Sequence, residues 1–119
     1  MNKAWAIAAL AFLAGCGRVP YELYQCPEPL KITDCKKEGS WVLCTFENTG
    51  QVSISRLSTA WAYDDSGVMM SNRAVLTQDI RPGQRKRLDV MVENNPSKVV
   101  ICTVDPSHPY VAERVTRVR

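Results

Sequence analysis

Residues 32–46, Ile-Thr-Asp-Cys-Lys-Lys-Glu-Gly-Ser-Trp-Val-Leu-Cys-Thr-Phe, carry the reading that decides the fold. Gly39-Ser40 is a two-residue hairpin loop between two strand-like runs, residues 32–38 and 41–46. Around such a loop, paired residue numbers sum to a constant, so Cys35 faces Cys44. The closing pair Glu38 and Trp41 is hydrogen-bonded, and alternation makes 35 and 44 a non-hydrogen-bonded pair. Those pairs bring side chains closest, near the Cβ spacing a disulfide needs. The hairpin therefore predicts a Cys35–Cys44 bridge. It also puts Val42, Cys44 and Phe46 on one face.

Working outward, the chain reads as short strands with no convincing helix. Residues 30–35 and 41–46 come first, and Asn48-Thr49-Gly50 ends the second. Residues 53–63 follow, with Leu57, Thr59, Trp61 and Tyr63 sharing a face. Asp64-Asp65-Ser66-Gly67 is a turn, because short polar side chains bond the local backbone and glycine accepts positive φ. Residues 68–70 and 74–80 form two further strands. Arg81-Pro82-Gly83-Gln84 has the Pro-Gly order of a type II turn. Residues 86–92 place Leu88, Val90 and Val92 inward and Arg87, Asp89 and Met91 outward. Asn94-Asn95-Pro96-Ser97 turns the chain into residues 98–104. Residues 110–118 form an edge strand or a tail. Turns about every ten residues predict an all-β chain, a two-sheet sandwich of about seven strands.

At 119 residues the chain has room for one domain with one core. Its formal net charge of +3 is too small to argue for nucleic acid. Arginines do gather at Arg81, Arg85 and Arg87, and again at Arg114, Arg117 and Arg119. Such runs suit an acidic partner, anionic lipid headgroups or solvent.

The N-terminus has the plan of a secretory signal peptide. Lys3 precedes a short apolar run, residues 4–12, and small residues lead to a cysteine. The run is too short for a membrane span, which needs about 20 residues. Leu13-Ala14-Gly15-Cys16 resembles the lipobox of bacterial lipoproteins. That resemblance implies cleavage after Gly15, a diacylglyceryl thioether on Cys16, and acylation of the new amino group. Several acyl chains on one residue hold a protein to a membrane almost permanently, at about 0.8 kcal/mol per buried methylene. Gly17 in place of an aspartate points, through the same resemblance, to the outer membrane with the domain in the periplasm. With Cys16 lipidated, four cysteines remain. An exported chain with an even remainder forms disulfides, so Cys26 and Cys102 pair and tie the two ends of the domain. Zinc is not expected, since no two cysteines have C-x-x-C spacing. The expected layout is a signal peptide over residues 1–15, a lipidated cysteine and flexible tether over 16–29, and the sandwich over 30–119. Within the tether, Tyr21, Leu23 and Tyr24 lie at the membrane interface or pack on the domain.

The segment from Phe46 to Val92 carries F-x-N-x-G (Phe46, Asn48, Gly50), then Trp61-Ala62-Tyr63-Asp64-Asp65-Ser66-Gly67, then Arg81-Pro82-Gly83-Gln84. It resembles the small immunoglobulin-like domains of bacterial exported proteins, including the FxLYD type. The resemblance implies a binding or structural module and brings no catalytic residues.

No catalytic set emerges. His108 is flanked by Ser107 and Asp105, too close together in a Pro-rich loop to converge on one substrate atom. Asp64 and Asp65 lack the further spaced oxygens of a calcium loop, and there is no phosphate loop or dinucleotide fingerprint. Trp41 and Trp61 read as sheet-face aromatics, an exposed one being a natural binding anchor. Met69-Met70 reads as a hydrophobic strand end or an adaptable contact loop. The residues singled out as a binding surface are Trp61, Arg85, Lys86 and Arg87. The expectation is a non-enzymatic envelope lipoprotein without cofactor, metal, nucleic acid or small-molecule substrate. It binds the membrane through Cys16 and another envelope protein through the sandwich, as a subunit or stabiliser of a secretion or conjugation assembly. The alternative is a stand-alone inhibitor or exclusion lipoprotein that meets an incoming enzyme, phage or mating partner.

Overall fold

A computed structural model describes residues 19–39, 41–92, 95–106, 112 and 114–118. Lipidation at Cys16, the signal peptide and His108 lie outside the described residues. Eight strands follow in order: β1 (Glu22–Gln25), β2 (Leu30–Glu38), β3 (Trp41–Asn48), β4 (Ser58–Tyr63), β5 (Met69–Val75), β6 (Arg85–Met91), β7 (Lys98–Cys102) and β8 (Thr116–Arg117). They form a five-stranded sheet, β5-β4-β7-β1-β8, and a three-stranded sheet, β2-β3-β6. The apolar inner faces enclose one core, with Ile32, Val42 and Phe46 from one sheet and Ala60, Val99 and Ile101 from the other. This is the expected all-β sandwich.

The hairpin forms as the spacing predicts and then departs from it. Glu38 pairs with Trp41, Lys37 with Val42 and Lys36 with Leu43, and then the register shifts so that Thr33 pairs with Thr45 and Ile32 with Phe46. Asp34 takes a left-handed φ of 54° at the shift. The bulge has a physical reason. In an unbroken ladder Thr33 would face Phe46, and Leu30 and Ile32 would point to solvent; one inserted residue exchanges the faces. Both of those side chains are buried. Cys35 and Cys44 are bridged across the bulge with their Cα atoms 4.1 Å apart.

The tether expected over residues 16–29 is corrected. Glu22 to Gln25 form β1, parallel to β7, with Glu22 opposite Lys98 and Gln25 opposite Ile101. Leu23 is a core residue and Tyr21 packs against the core, so neither lies in a free linker. The sandwich therefore starts well before residue 30. Continuing the parallel register by one step brings Cys26 beside Cys102, and the two are bridged with a Cα separation of 5.2 Å. Gln25 stitches the sheets together, donating from Nε2 to the Leu30 carbonyl at 2.8 Å and accepting from the Ile32 amide at 2.9 Å.

One further expectation holds and another changes. Leu57, Thr59, Trp61 and Tyr63 share a face, and it is the outer one: Ser58, Ala60 and Ala62 face the core while Leu57 is exposed. Trp61 and Tyr63 pack on the opposite side of the sheet, around Cys26, Val100 and Cys102. Small residues let the two sheets approach, and the bulky aromatics find room outside. The strands expected at 68–70 and 74–80 are one strand, β5, with a register irregularity opposite Ala62 and Tyr63. Beyond it Ile80 makes an isolated bridge to Ile54.

The turns follow their chemistry. The Gln84 amide donates to the Arg81 carbonyl at 2.9 Å, and Gly83 has φ 78°, as a type II turn requires. Asp64 Oδ1 accepts from the Ser66 and Val68 amides at 2.9 and 3.0 Å. The F-x-N-x-G residues are structural. Phe46 and Asn48 are fully buried. Asn48 Nδ2 donates to the Val52 and Ile80 carbonyls, and its Oδ1 accepts from the Gly50 amide. A Cβ on Gly50 would lie 2.8 Å from Pro29 Cβ, so only glycine fits there.

Candidate functional site

The sequence-derived candidates do not converge on one patch. Arg85 and Arg87 alternate with Lys86, which lies opposite Phe46 and so belongs to the other side of β6. Arg87 Nη1 donates to the Asp34 carbonyl and Thr45 Oγ1, both at 2.8 Å, and lies 3.2 Å from Asp34 Oδ2. It pins the bulge of β2 across β3. Arg85 lies 3.5 Å from Glu47. Trp61 is half-buried against the Cys26–Cys102 bridge, and its Nε1 is enclosed without a hydrogen-bond partner among the described residues.

Among the described residues, one group has metal-type donor atoms close together: Cys26, Glu28 and Cys102. Both sulfurs belong to the disulfide and so offer no thiolate. Glu28 Oε1 accepts from the Thr103 amide at 2.8 Å. This group staples the chain past β7; it does not present a metal centre.

Two other surfaces stand out, at opposite ends of the five-stranded sheet. Ser58 pairs with Val75, so the preceding Leu57 and the following Leu76 sit side by side where β4 begins and β5 ends. They are 45% and 63% exposed, and Val52, on the loop held by Asn48, is 76% exposed. Buried hydroxyls fix the backbone beneath. Thr77 Oγ1 donates to the Arg56 carbonyl at 2.7 Å, which leaves Ser58 Oγ to donate to Thr77 Oγ1 at 3.0 Å. Exposed apolar side chains on a held backbone are the usual makings of a protein contact. The sequence hid this surface because Leu57 alternates with three other bulky residues and invites an inward assignment.

At the other end lies an open groove of about 740 Å³. Tyr21, Glu22, Asp64, Asp65, Lys98 and Arg117 are among its lining residues. Glu22 Oε1 pairs with Arg117 at 3.3 Å, and its Oε2 accepts from the Tyr24 hydroxyl at 3.0 Å. Asp65 is hydrogen-bonded to Ser97. Lys98 Nζ sits 5.4 and 5.9 Å from the centroids of Tyr63 and Tyr24, and the Arg117 guanidinium is 5.6 Å from Tyr24. Aromatic rings and cations thus alternate across β4, β7, β1 and β8, an attractive arrangement for quadrupole and charge. Burial pushes the Tyr21 phenol from its ordinary value near 10 up to about 12. Tyr63 is also raised, by burial and then by the charge of Asp105. The groove carboxylates are engaged by neighbouring donors: Glu22 by Arg117 and Tyr24, Asp64 by backbone amides and Asp65 by Ser97.

No protein-family model, curated protein or solved structure matches the chain.

Proposed function

We propose that the chain is a non-enzymatic lipoprotein of the cell envelope, anchored through lipid on Cys16 in the outer membrane and facing the periplasm. Its sandwich binds another envelope protein, as a subunit or stabiliser of a secretion or conjugation assembly. The observation that carries the reading is the exposed Leu57, Leu76 and Val52 surface at the end of the sheet away from the N-terminus. A strand the length of β4, about 20 Å, separates it from the anchor side, so it is presented outward from a membrane.

The immunoglobulin-like reading has support in strand order. An immunoglobulin sandwich sets A-B-E-D against C-F-G. The β2-β3-β6 sheet follows A-B-E, and β4 beside β7 follows C beside F. The position of strand G is taken by β1, running parallel to β7. Disulfides suit an exported domain.

The test is co-purification from membranes after brief in-cell crosslinking, comparing the natural chain with a Leu57→Asp, Leu76→Asp variant. The expected result is a partner at fixed stoichiometry that is lost in the variant while thermal unfolding is unchanged. A partner retained in full by the folded variant overturns this surface as the contact. Recovery of the natural chain alone turns the reading to the stand-alone inhibitor or exclusion lipoprotein.

A further inference from the structure

We infer that the groove end of the sandwich is held face-down on the membrane that carries the anchor, with Val68, Met69 and Met70 at the level of the lipid headgroups. The inference rests on lipidation of Cys16. Two independent observations lead to it. First, the sandwich begins almost at the anchor: Val19 and Pro20 already line the groove, and Glu22 is in the sheet. Only Gly17 and Arg18 separate Val19 from Cys16. Three residue steps reach about 11 Å at most, and the headgroup layer of one leaflet is roughly 5–7 Å thick. Val19 must therefore lie in or just above the headgroups, and the groove beside it faces them.

Second, an exposed apolar run occupies the same end. The turn of Asp64 to Gly67 contributes to the groove wall, and Val68, Met69 and Met70 follow it directly, all three exposed. The Asp64 amide donates to the Val68 carbonyl at 3.0 Å, which ties the run to the groove. Unbranched methionines adapt to an irregular layer, and Lys98 has a long stem suited to reaching phosphates. The acids nearby do not oppose this freely. Glu22 is paired with Arg117, Asp65 is bonded to Ser97, and Asp64 accepts two backbone amides. This orientation leaves the Leu57 and Leu76 end pointing away from the bilayer.

The test uses the full-length lipidated protein on vesicles of phosphatidylethanolamine and phosphatidylglycerol, exposed to a water-soluble oxidant and read by peptide mass. A second lipidated form carries about eight Gly and Ser residues inserted after Gly17, adding roughly 28 Å of reach. A methionine dipeptide dissolved in the same sample is the dose reference. Oxidation follows exposure, so relative to that reference, Met69 and Met70 should oxidise at least about threefold more slowly in the natural chain than in the lengthened one. Equal ratios in the two forms overturn the orientation. The intact mass is measured first: a chain without lipid on Cys16 rejects the lipoprotein reading itself, a failure distinct from equal oxidation of two lipidated forms.

Discussion

The two sheets are built by opposite strategies. The β2-β3-β6 sheet starts from a hairpin whose bridge joins cysteines nine positions apart. The five-stranded sheet holds β1 between β7 and β8, both from near the other end of the chain, and its bridge joins cysteines 76 positions apart. One sheet is closed by neighbours in sequence and the other by a long return. Loop closure costs entropy that grows with loop length. The same two-cysteine device should therefore matter more in the second sheet, and the contrast can be attacked directly.

The largest effect expected is loss of the long bridge. Replacing Cys26 and Cys102 by serine should lower unfolding free energy by about 4.5 kcal/mol, against about 2.6 kcal/mol for the Cys35 and Cys44 pair, in the chain-entropy model. Urea unfolding of the two double variants measures both. Equal losses would mean that strain or denatured-state structure, and not loop length, sets the contribution.

Next in size is Asn48→Ala. Asn48 ends β3 and binds the loops that carry the chain between the sheets. Its removal takes the side-chain partner from the Val52 carbonyl and the Gly50 amide, at about 2–3 kcal/mol, while the Ile80 carbonyl keeps the Ile54 amide. A loss below 1 kcal/mol would show that water replaces these bonds and that the sheets are joined mainly through their apolar faces.

The smallest effect is a pH dependence confined to the five-stranded side. The Tyr21 phenol is raised to about 12 in the folded chain from near 10 in the unfolded one. Between those values the folded state holds a proton the unfolded state has lost, so stability falls as pH rises from 10 to 12 and is constant for this group below 10. Tyr21→Phe should flatten that part of the profile, as measured by denaturation at a series of alkaline pH values. An unchanged slope assigns the alkaline loss to other phenols such as Tyr63.

What was legible in the chain follows the same division. The hairpin, the Cys35–Cys44 bridge and the turns at 64–67 and 81–84 depend on residues a few positions apart. Their chemistry is written into those residues: paired spacing, an Asp that caps its own turn, a glycine after a proline. Asn48 and Gly50 were visible as a motif, although the reason for them was not, because Pro29 and Ile80 meet them only in the folded chain. The binding candidates fared differently. Arg87 is occupied with the bulge of β2, and the exposed Leu57 and Leu76 pair is not marked as a surface by the sequence, because the two leucines meet only where β4 begins beside the end of β5.

By itself, then, the sequence determined an all-β chain, its short-range turns and the Cys35–Cys44 bridge, because backbone propensity and side-chain spacing act over a few residues, and the Cys26–Cys102 bridge followed as the remaining pair. Only the tertiary structure decided that residues 22–25 are a sheet strand, that β4 turns Ala60 and Ala62 inward, and that a bulge at Asp34 restores the core face of β2. Each of these depends on which surface a strand meets. A strand's alternation says that two faces differ, but the partner packed against it decides which one is buried.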